Sequence, residues 1–343
     1  MDKLNKMDFI KTDFNENKYL IDKNKGIKRM VGLGEVAYKP KDMSGLNNNF
    51  IEFKDENGVS TIKYMTPNMY KIITVLLQHT NNSIVDNKNI FSYDGDMYIR
   101  IPFDYVINKC GGDGKIKHRR NFRNIILEMQ GYTLSTSNET ELRTMSVFKE
   151  IVYQYKTGDL YYSLNDKIIK SIVNDYCSIF DDGRSGYIAY DARKINESDL
   201  SISAISLYEF ILSNIKSLNN PFDIDYFIKY ITNEKSSKLS TIIKRVLNKS
   251  ILELEAMYGL KVYYLFEKNL DNVRYFKNVK IRVYKLKNYE QSEKSKKIDR
   301  DIKNITDIDD IEDVFYCDIK NTKKYLTNLS EMDFYSNKLQ LSL

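Results

Sequence analysis

Two stretches of the chain place cationic and amide side chains at helical spacing, the first of them within residues 236–250, SSKLSTIIKRVLNKS. Apolar residues recur there at offsets of 0, 3, 4 and 7, which predicts a helix with one buried face. Arginine and lysine donate hydrogen bonds to guanine or phosphate, and asparagine pairs with adenine. The polar face of this helix comprises Lys238, Thr241, Lys244, Arg245, Asn248 and Lys249.

This polar face has two interpretations. It contains no acidic residue before Glu253, whereas ordinary surface helices usually mix charges of both signs. It is therefore either a solvated face or a surface that binds a polyanion, because a polyanion would relieve the repulsion between its cations. In the second interpretation Arg245 and Asn248 read bases and Thr241 contacts a thymine methyl. The remaining cations, Lys238, Lys244 and Lys249, then anchor phosphates without reading sequence.

The second stretch, KIKHRRNFRNIILEMQ at residues 115–130, repeats this pattern. Its apolar positions have the same offsets of 0, 3, 4 and 7, so it also predicts a helix with one buried face. The stripe consists of Phe122, Ile125, Ile126 and Met129, and the opposite face carries Lys117, Arg120, Asn121 and Asn124.

The surroundings of the two stretches suggest an internal duplication. Pro-Phe-Asp occurs at residues 102–104 and again at 221–223, each time before a short predicted helix. A basic helix and then two predicted strands follow in both places. This is the order of elements in a winged helix: a helix, a short helix, a basic helix that recognises DNA, and a two-stranded ribbon. The ribbon after the recognition helix is a hairpin called the wing. The sequence therefore predicts an α+β protein of two tandem winged-helix domains, whose second wing supplies Lys268, Arg274 and Lys277 to the DNA backbone.

The predicted domain boundaries follow from this order. Residues 1–64 form an N-terminal arm with a hairpin, in which Asn57-Gly58 favours a turn with positive φ. Residues 65–198 form the first winged helix and residues 199–287 the second. Residues 288–343 form a charged C-terminal extension, since blocks of charge are usually solvated tails.

Composition narrows the class of protein. The 343 residues carry a net charge of +6, which is basic enough for a polyanion partner. Three widely spaced cysteines suggest reduced thiols in the cytoplasm, not a disulfide framework. The N-terminus lacks the apolar core of a secretory signal, and no apolar run is long enough to cross a membrane. We therefore expect a soluble cytoplasmic protein that does not bind a membrane.

The sequence shows no catalytic motif. We therefore expect a protein that is not an enzyme and that uses no cofactor or metal. Nickases that initiate replication bind a metal through a His-hydrophobic-His pair, whereas the two histidines, His79 and His118, lie far apart. His118 fits either a DNA contact or a plain surface position. The stretch KCGGDGK is not a phosphate loop, since Lys109 stands where that motif requires glycine. A turn between two helices is the preferred interpretation.

The second predicted domain resembles the second winged helix of iteron-binding plasmid replication initiators. The resemblance lies in Leu207-Tyr208-Glu209, in Lys244-Arg245-Val246-Leu247 and in the continuation Ile251-Leu252-Glu253-Leu254. It extends over roughly residues 66–287 and is firmer in the second half. It implies binding to directly repeated sequences of double-stranded origin DNA, local duplex opening and recruitment of host replication proteins. It also implies a possible homodimer that represses its own promoter, and it places Lys244 and Arg245 in the recognition helix.

The predicted function is therefore initiation of plasmid replication by a DNA-binding protein. Two alternatives remain open from the sequence. A transcriptional repressor or a partition protein could use the same scaffold. A structural or protein-interaction module could instead present its basic faces to an acidic partner without binding DNA.

Overall fold

A computed structural model divides the chain into two compact units of mixed helix and sheet. Unit 1 comprises Met1–Ser44 and Asn48–Ser198, and unit 2 comprises Gly45–Asn47 and Asp199–Leu343. The strand pairs of the described residues are all antiparallel. The structure describes residues 8–20, 36–46, 49–54, 60–112, 116–137, 140–174, 176–180, 186–191, 195–196, 199–214, 217–218, 220–232, 242–268 and 276–285.

Unit 1 is built on three sheets. One has five strands in the order β1-β5-β6-β10-β9, one has four in the order β4-β3-β7-β8, and β11 pairs with β2. The elements are β1 (Ile10–Lys11), α1 (Glu16–Tyr19), β2 (Val36–Pro40), β3 (Asn49–Lys54), β4 (Ser60–Tyr64), α2 (Pro67–Asp86), β5 (Ile90–Tyr93), β6 (Asp96–Pro102), α3 (Phe103–Lys109), α4 (Ile116–Glu128), β7 (Tyr132–Ser137), β8 (Leu142–Ser146), β9 (Phe148–Gln154), β10 (Asp159–Leu164), α5 (Asp166–Val173) and β11 (Tyr187–Asp191).

Local signals set the ends of α2, the long helix of unit 1. The Thr66 side chain accepts a hydrogen bond from the Met69 amide at 3.3 Å, and Pro67 occupies the first turn, where its missing N–H costs nothing. Asn87 ends the helix in the left-handed conformation with a φ of 52°. These signals make Pro67 the first residue of the helix and Asp86 the last.

The turn between α3 and α4 depends on glycine. Gly111 has a φ of +78°, which favours a residue without a side chain. A Cβ atom on Gly112 would lie 2.4 Å from the Ile107 Cγ2 atom, so the chain approaches α3 too closely for a larger residue. The preferred interpretation of KCGGDGK as a turn between helices agrees with the described residues on both sides of it.

Tyr162 lies in the core of unit 1, where its hydroxyl group finds partners. The residue belongs to β10 and is fully buried, and its Oη atom donates to the Leu76 carbonyl of α2 at 2.9 Å. The Thr80 hydroxyl lies 3.0 Å from the Tyr162 Oη atom. Burying a tyrosine hydroxyl without a partner is costly, so these bonds help to fix the packing of α2 against the sheet.

Unit 2 is a smaller arrangement of helices on a three-stranded sheet with the order β12-β14-β13. Phe210 is fully buried at its centre, with the ring centroids of Phe222, Phe227 and Tyr230 within 5.0–5.1 Å. The elements are α6 (Ile202–Ser213), β12 (Phe222–Asp223), α7 (Ile224–Ile231), a π-helical turn (Ile243–Leu247) that leads into α8 (Asn248–Tyr258), β13 (Leu260–Lys268) and β14 (Phe276–Lys285).

Side-chain caps set the starts of two helices in unit 2. The Asp223 Oδ1 atom accepts from the Tyr226 amide at 2.9 Å at the start of α7. Several serines and aspartates precede α6, and the hydroxyl of Ser201 is the one that caps it. All these residue types are good caps, so the local sequence alone could not choose among them.

The two units share a strand and helix order. In unit 1, α2, β6, α3, α4, β9 and β10 occur in this order, with β5 inserted after α2 and the hairpin of β7 and β8 inserted after α4. In unit 2, the order is α6, β12, α7, α8, β13 and β14. The sheets agree as well, because β10 lies between β6 and β9 just as β14 lies between β12 and β13.

Pro-Phe-Asp lies at a strand-to-helix junction in both units, but its place is shifted. In unit 1 strand β6 ends at Pro102 and α3 begins at Phe103. In unit 2 Phe222 and Asp223 form β12, and α7 begins at Ile224. The shared tripeptide therefore marks equivalent junctions with a displacement of two residues.

Some strands of unit 1 are absent from the sequence interpretation, which placed one ribbon directly after α4. The hairpin of β7 and β8 intervenes, and β5 pairs with β6 across Asp94-Gly95, where both residues have positive φ. Most of β8 is exposed, so it lacks the apolar alternation that identifies strands. The predicted pairing of β3 with β4 is confirmed, although Asn57-Gly58 lies outside the described residues, and β3 also pairs with β7.

Candidate nucleic-acid interface

Helix α4 buries its apolar face and exposes the predicted polar face. Phe122, Ile126 and Met129 are at most 6% exposed, and Ile125 is half-buried at the edge of the stripe. The exposed side comprises Arg120, Asn121 and Asn124, while the side chain of Lys117 lies outside the described residues.

The cations around α4 differ in what they contact. Arg119 forms an ion pair with Asp104 of α3 at 2.7 Å, and Lys63 forms one with Glu128. No ion pair within the described residues involves Arg120. Its charge is therefore available to an external anion, whereas Arg119 is partly neutralised within the fold.

A second part of this surface was not predicted from the sequence. Tyr155 lies in the turn between β9 and β10 and is 75% exposed, and the guanidinium carbon of Arg123 lies 5.6 Å from its ring centroid. Tyr153 contacts the same ring edge-on at a centroid distance of 5.2 Å. The turn stays next to α3, since the Phe103 amide donates to the Gly158 carbonyl at 3.0 Å. The only sequence signal was a tyrosine beside Lys156 in a predicted turn, which is too common to single out.

In unit 2 the exposed residues follow the π-helical turn and α8. Arg245 and Lys249 are exposed and Leu252 is 50% exposed, while Ile243, Leu247 and Leu254 are buried. Arg245, like Arg120, has no ion pair within the described part of the chain. The side chain of Lys244 lies outside the described residues, as do Lys238, Thr241 and the suggested caps Ser236 and Ser237.

The π-helical turn at Ile243–Leu247 changes the geometry expected from uniform helical spacing. A π turn holds one more residue than an α-helical turn. The described members of the predicted apolar stripe, Ile242, Ile243 and Val246, are nevertheless all buried. Turns of this kind occur frequently at functional sites.

Asn248 does not point freely away from the fold. It is half-buried, and its Oδ1 atom accepts a hydrogen bond from the buried Tyr264 hydroxyl at 2.9 Å. Burial raises the pKa of Tyr264, so the hydroxyl stays protonated and remains a donor. A bidentate contact with adenine needs the same Oδ1 atom together with the amide nitrogen. In this arrangement the Asn248 side chain supports α8 against β13, and one of the two lone pairs of its Oδ1 atom is already occupied.

Lys249 is exposed but not isolated. Its Nζ atom lies 3.8 Å from Glu253 Oε1, one helical turn away. The other carboxylate oxygen of Glu253 accepts from the Ser201 amide at 2.7 Å, at the start of α6. An exposed pair of this kind is weak, so Lys249 can exchange Glu253 for a phosphate at little cost.

The second wing is only partly described. Lys277 in β14 is exposed, and Lys268 ends β13, where its backbone pairs with Phe276. The side chain of Lys268 and all of Arg274 lie outside the described residues. Lys280 forms an ion pair with Glu267 across the two strands at 2.5 Å. Lys277 is exposed and forms no ion pair within the described residues of this ribbon.

Chemistry-bearing side chains elsewhere do not form a reactive centre within the described residues. Burial lowers the pKa of His79, whose Nε2 atom lies 2.9 Å from the Arg100 carbonyl oxygen, and burial raises the pKa of the Cys110 thiol to about 12. No group of three or more potential metal ligands occurs in that part of the chain. None of its helices combines the length and apolar character needed to cross a bilayer.

Comparison with known proteins gives structural similarity without sequence similarity. No family model matches the chain, and no curated protein matches it. A crystal structure of the Pi initiator protein in complex with iteron DNA is 11% identical, with a TM-score of 0.44, and the match covers 68% of this chain and 96% of that one. Domains 2 and 3 of RctB are 9% identical with a TM-score of 0.41, covering 71% of this chain and 98% of that one.

Proposed function

We propose that the protein is a non-enzymatic, sequence-specific binder of double-stranded DNA built from two winged helices. The observation that carries this proposal is the repeated geometry of the two units. Each has a helix with a buried apolar face and an exposed arginine, Arg120 or Arg245, that forms no ion pair within the described residues, and each has a later antiparallel ribbon with the same strand order. The major groove of DNA admits one α-helix, so each unit has an element of the right shape and charge.

The exposed side chains suggest a division of roles. Arg245 can donate two hydrogen bonds to guanine, and Asn124 can pair with adenine because it is exposed on α4. Lys249, Arg120 and Lys277 suit phosphate contacts, which position the protein without reading bases. Arg123 and Tyr155 extend the surface of α4 toward the flanking DNA. Asn248 then acts through its bond to Tyr264 and holds the helix in place.

We further propose that this binding initiates plasmid replication at directly repeated sequences. The geometry itself fits any protein that reads duplex DNA. The support for this finer role is therefore the resemblance of the sequence from Ser201 to Lys268 to iteron-binding initiators. Host replication proteins and a homodimeric repressor form belong to the same proposal. A cytoplasmic location would follow from it.

The test is a titration of the full chain with duplex DNA selected from a randomised library, at several salt concentrations. With about 6 phosphates contacted, affinity should fall by about 10³ between 50 and 200 mM salt, because bound counterions are released. Arg245→Ala should weaken the free energy of DNA binding by about 1–3 kcal/mol and relax the preference at one base pair. Lys249→Ala should weaken binding to all DNA sequences alike.

Lys88→Ala is the matched control, since Lys88 is an exposed cation in the turn after α2. It should leave the affinity unchanged. Absence of binding at 50 mM salt would exclude the proposal. Identical behaviour of the Arg245 and Lys249 variants would exclude the division of roles. A selected site with one inverted repeat instead of direct repeats would favour a repressor.

A further inference from the structure

The two basic helices share a second tripeptide, Ile-Leu-Glu. It occurs at residues 126–128 in α4 and at residues 251–253 in α8. An exposed arginine precedes each copy by the same interval, since Arg120 and Arg245 each lie six residues before the isoleucine. The likeness between the two helices therefore extends beyond their charge to the order of particular side chains.

The first and last residues of each copy are held by the fold. Both isoleucines are at most 3% exposed, so they belong to the buried faces of their helices. Glu128 forms an ion pair with Lys63, and Glu253 accepts a hydrogen bond from the Ser201 amide at 2.7 Å. Contacts within each unit therefore account for the isoleucine and the glutamate.

The leucine in the middle of each copy has no such place in the fold. Leu127 is 48% exposed and Leu252 is 50% exposed. Among the helix side chains that the structure describes, no other leucine, isoleucine, valine or methionine is exposed. An apolar side chain in water gains free energy when a partner covers it. Two exposed leucines at matching positions therefore indicate a contact outside the fold.

Each leucine lies beside a residue that the proposed function assigns to DNA. Leu127 follows the exposed Asn124 by three residues, and Leu252 follows the exposed Lys249 by three residues. Residues three apart in an α-helix are neighbours on one face. A helix that places Asn124 or Lys249 against DNA therefore brings its leucine to the same groove, about one turn farther along the helix.

Thymine is the base whose edge suits a leucine side chain. Its C5-methyl group is an apolar feature of the major groove, where the other bases present hydrogen-bond donors and acceptors. Leucine forms no hydrogen bond with its side chain, so it gains nothing from those polar edges. Against the methyl group it removes apolar surface of both partners from water, which is favourable.

We propose that Leu127 and Leu252 are specificity-determining residues, each of which contacts the C5-methyl group of a thymine in the DNA site. The proposal rests on the proposed function and adds the identity of a base to it. Because the exposed leucine recurs in both basic helices, each unit reads a thymine of its own. Phosphate contacts, such as those assigned to Lys249, cannot supply this preference.

The experiment replaces the thymines of the selected duplex with deoxyuridine, one position at a time, and measures the affinity of the full chain by fluorescence anisotropy. Deoxyuridine pairs with adenine as thymine does but lacks the C5-methyl group. At one thymine for each basic helix, the replacement should weaken binding about fourfold, which is the free energy of burying one methylene group expressed as an affinity ratio. Leu127→Ala should abolish this effect at one of the two positions, and Leu252→Ala should abolish it at the other.

Leu142→Ala is the matched control, because Leu142 is a 68% exposed leucine in strand β8 and not in a basic helix. It should keep the deoxyuridine effect at both positions. Alanine is a strong helix former, so both helix variants should remain folded. Absence of a deoxyuridine effect at every thymine would overturn the inference while DNA binding stands, and so would effects that neither helix variant removes. Failure to bind any duplex would overturn the proposed function as well.

Discussion

At the scale of single residues, the pattern in the sequence identified the exposed cations better than the exposed amides. Arg245, Lys249 and Arg120 are on the surface, as the helical spacing predicted. Asn248 has the same spacing but bonds to Tyr264, a residue of the next strand. Periodicity within one helix cannot reveal a partner on another element. For the same reason the pairing of Arg123 with Tyr155 was not predicted, since it joins α4 to a turn about 30 residues later.

The Asn248 bond yields a test of its structural role. Tyr264→Phe removes a buried donor and should lower the free energy of unfolding by about 1 kcal/mol, a typical net value for one hydrogen bond. Asn248→Ala should cost a similar amount. Because both changes remove the same bond, the double variant should be less destabilised than the sum of the two, as measured by urea unfolding. Simple additivity would show that the bond contributes nothing to stability.

At the scale of elements, neighbouring residues specify where α2 and α7 begin, whereas the pairing between distant strands remained unpredicted from the sequence. Thr66, Pro67 and Asp223 act through neighbours within one helical turn, so local sequence specifies them. Strand β7 depends on β3, more than 80 residues earlier for the Asn49 pair, and β8 pairs with β7 and is mostly exposed. Such strands have no sequence signal of their own, and their place comes from the sheet that they join.

The cap of α7 gives a prediction at this scale. Asp223→Ala removes the acceptor of the Tyr226 amide and should reduce the free energy of unfolding by about 1 kcal/mol, as for other helix caps. Asp223→Asn is the matched control, because asparagine keeps a side-chain oxygen at the same position. Chemical denaturation of both variants separates the two cases. Equal loss in Asp223→Asn would mean that charge, not the hydrogen bond, provides the stabilisation.

At the scale of the whole molecule, the two units repeat one arrangement with local changes. Unit 1 inserts a hairpin after α4, and unit 2 enters α8 through a π-helical turn, yet both keep the same order of three sheet strands. From two basic helices and a shared tripeptide, the sequence predicted a short helix, a basic helix and a two-stranded ribbon in each unit, but not the third strand of the sheet in unit 2. It did not predict the inserted hairpin, because β7 pairs with β3 from much earlier in the chain.

The central claim is that both units contact one duplex through their exposed basic helices. Footprinting of the full chain on its selected duplex tests this most directly. Two protected regions about 10 base pairs apart are expected, since neighbouring major grooves on one face of DNA have that spacing. Arg245→Ala should weaken protection in one region and Arg120→Ala in the other. A single protected region that both variants weaken equally would contradict the claim.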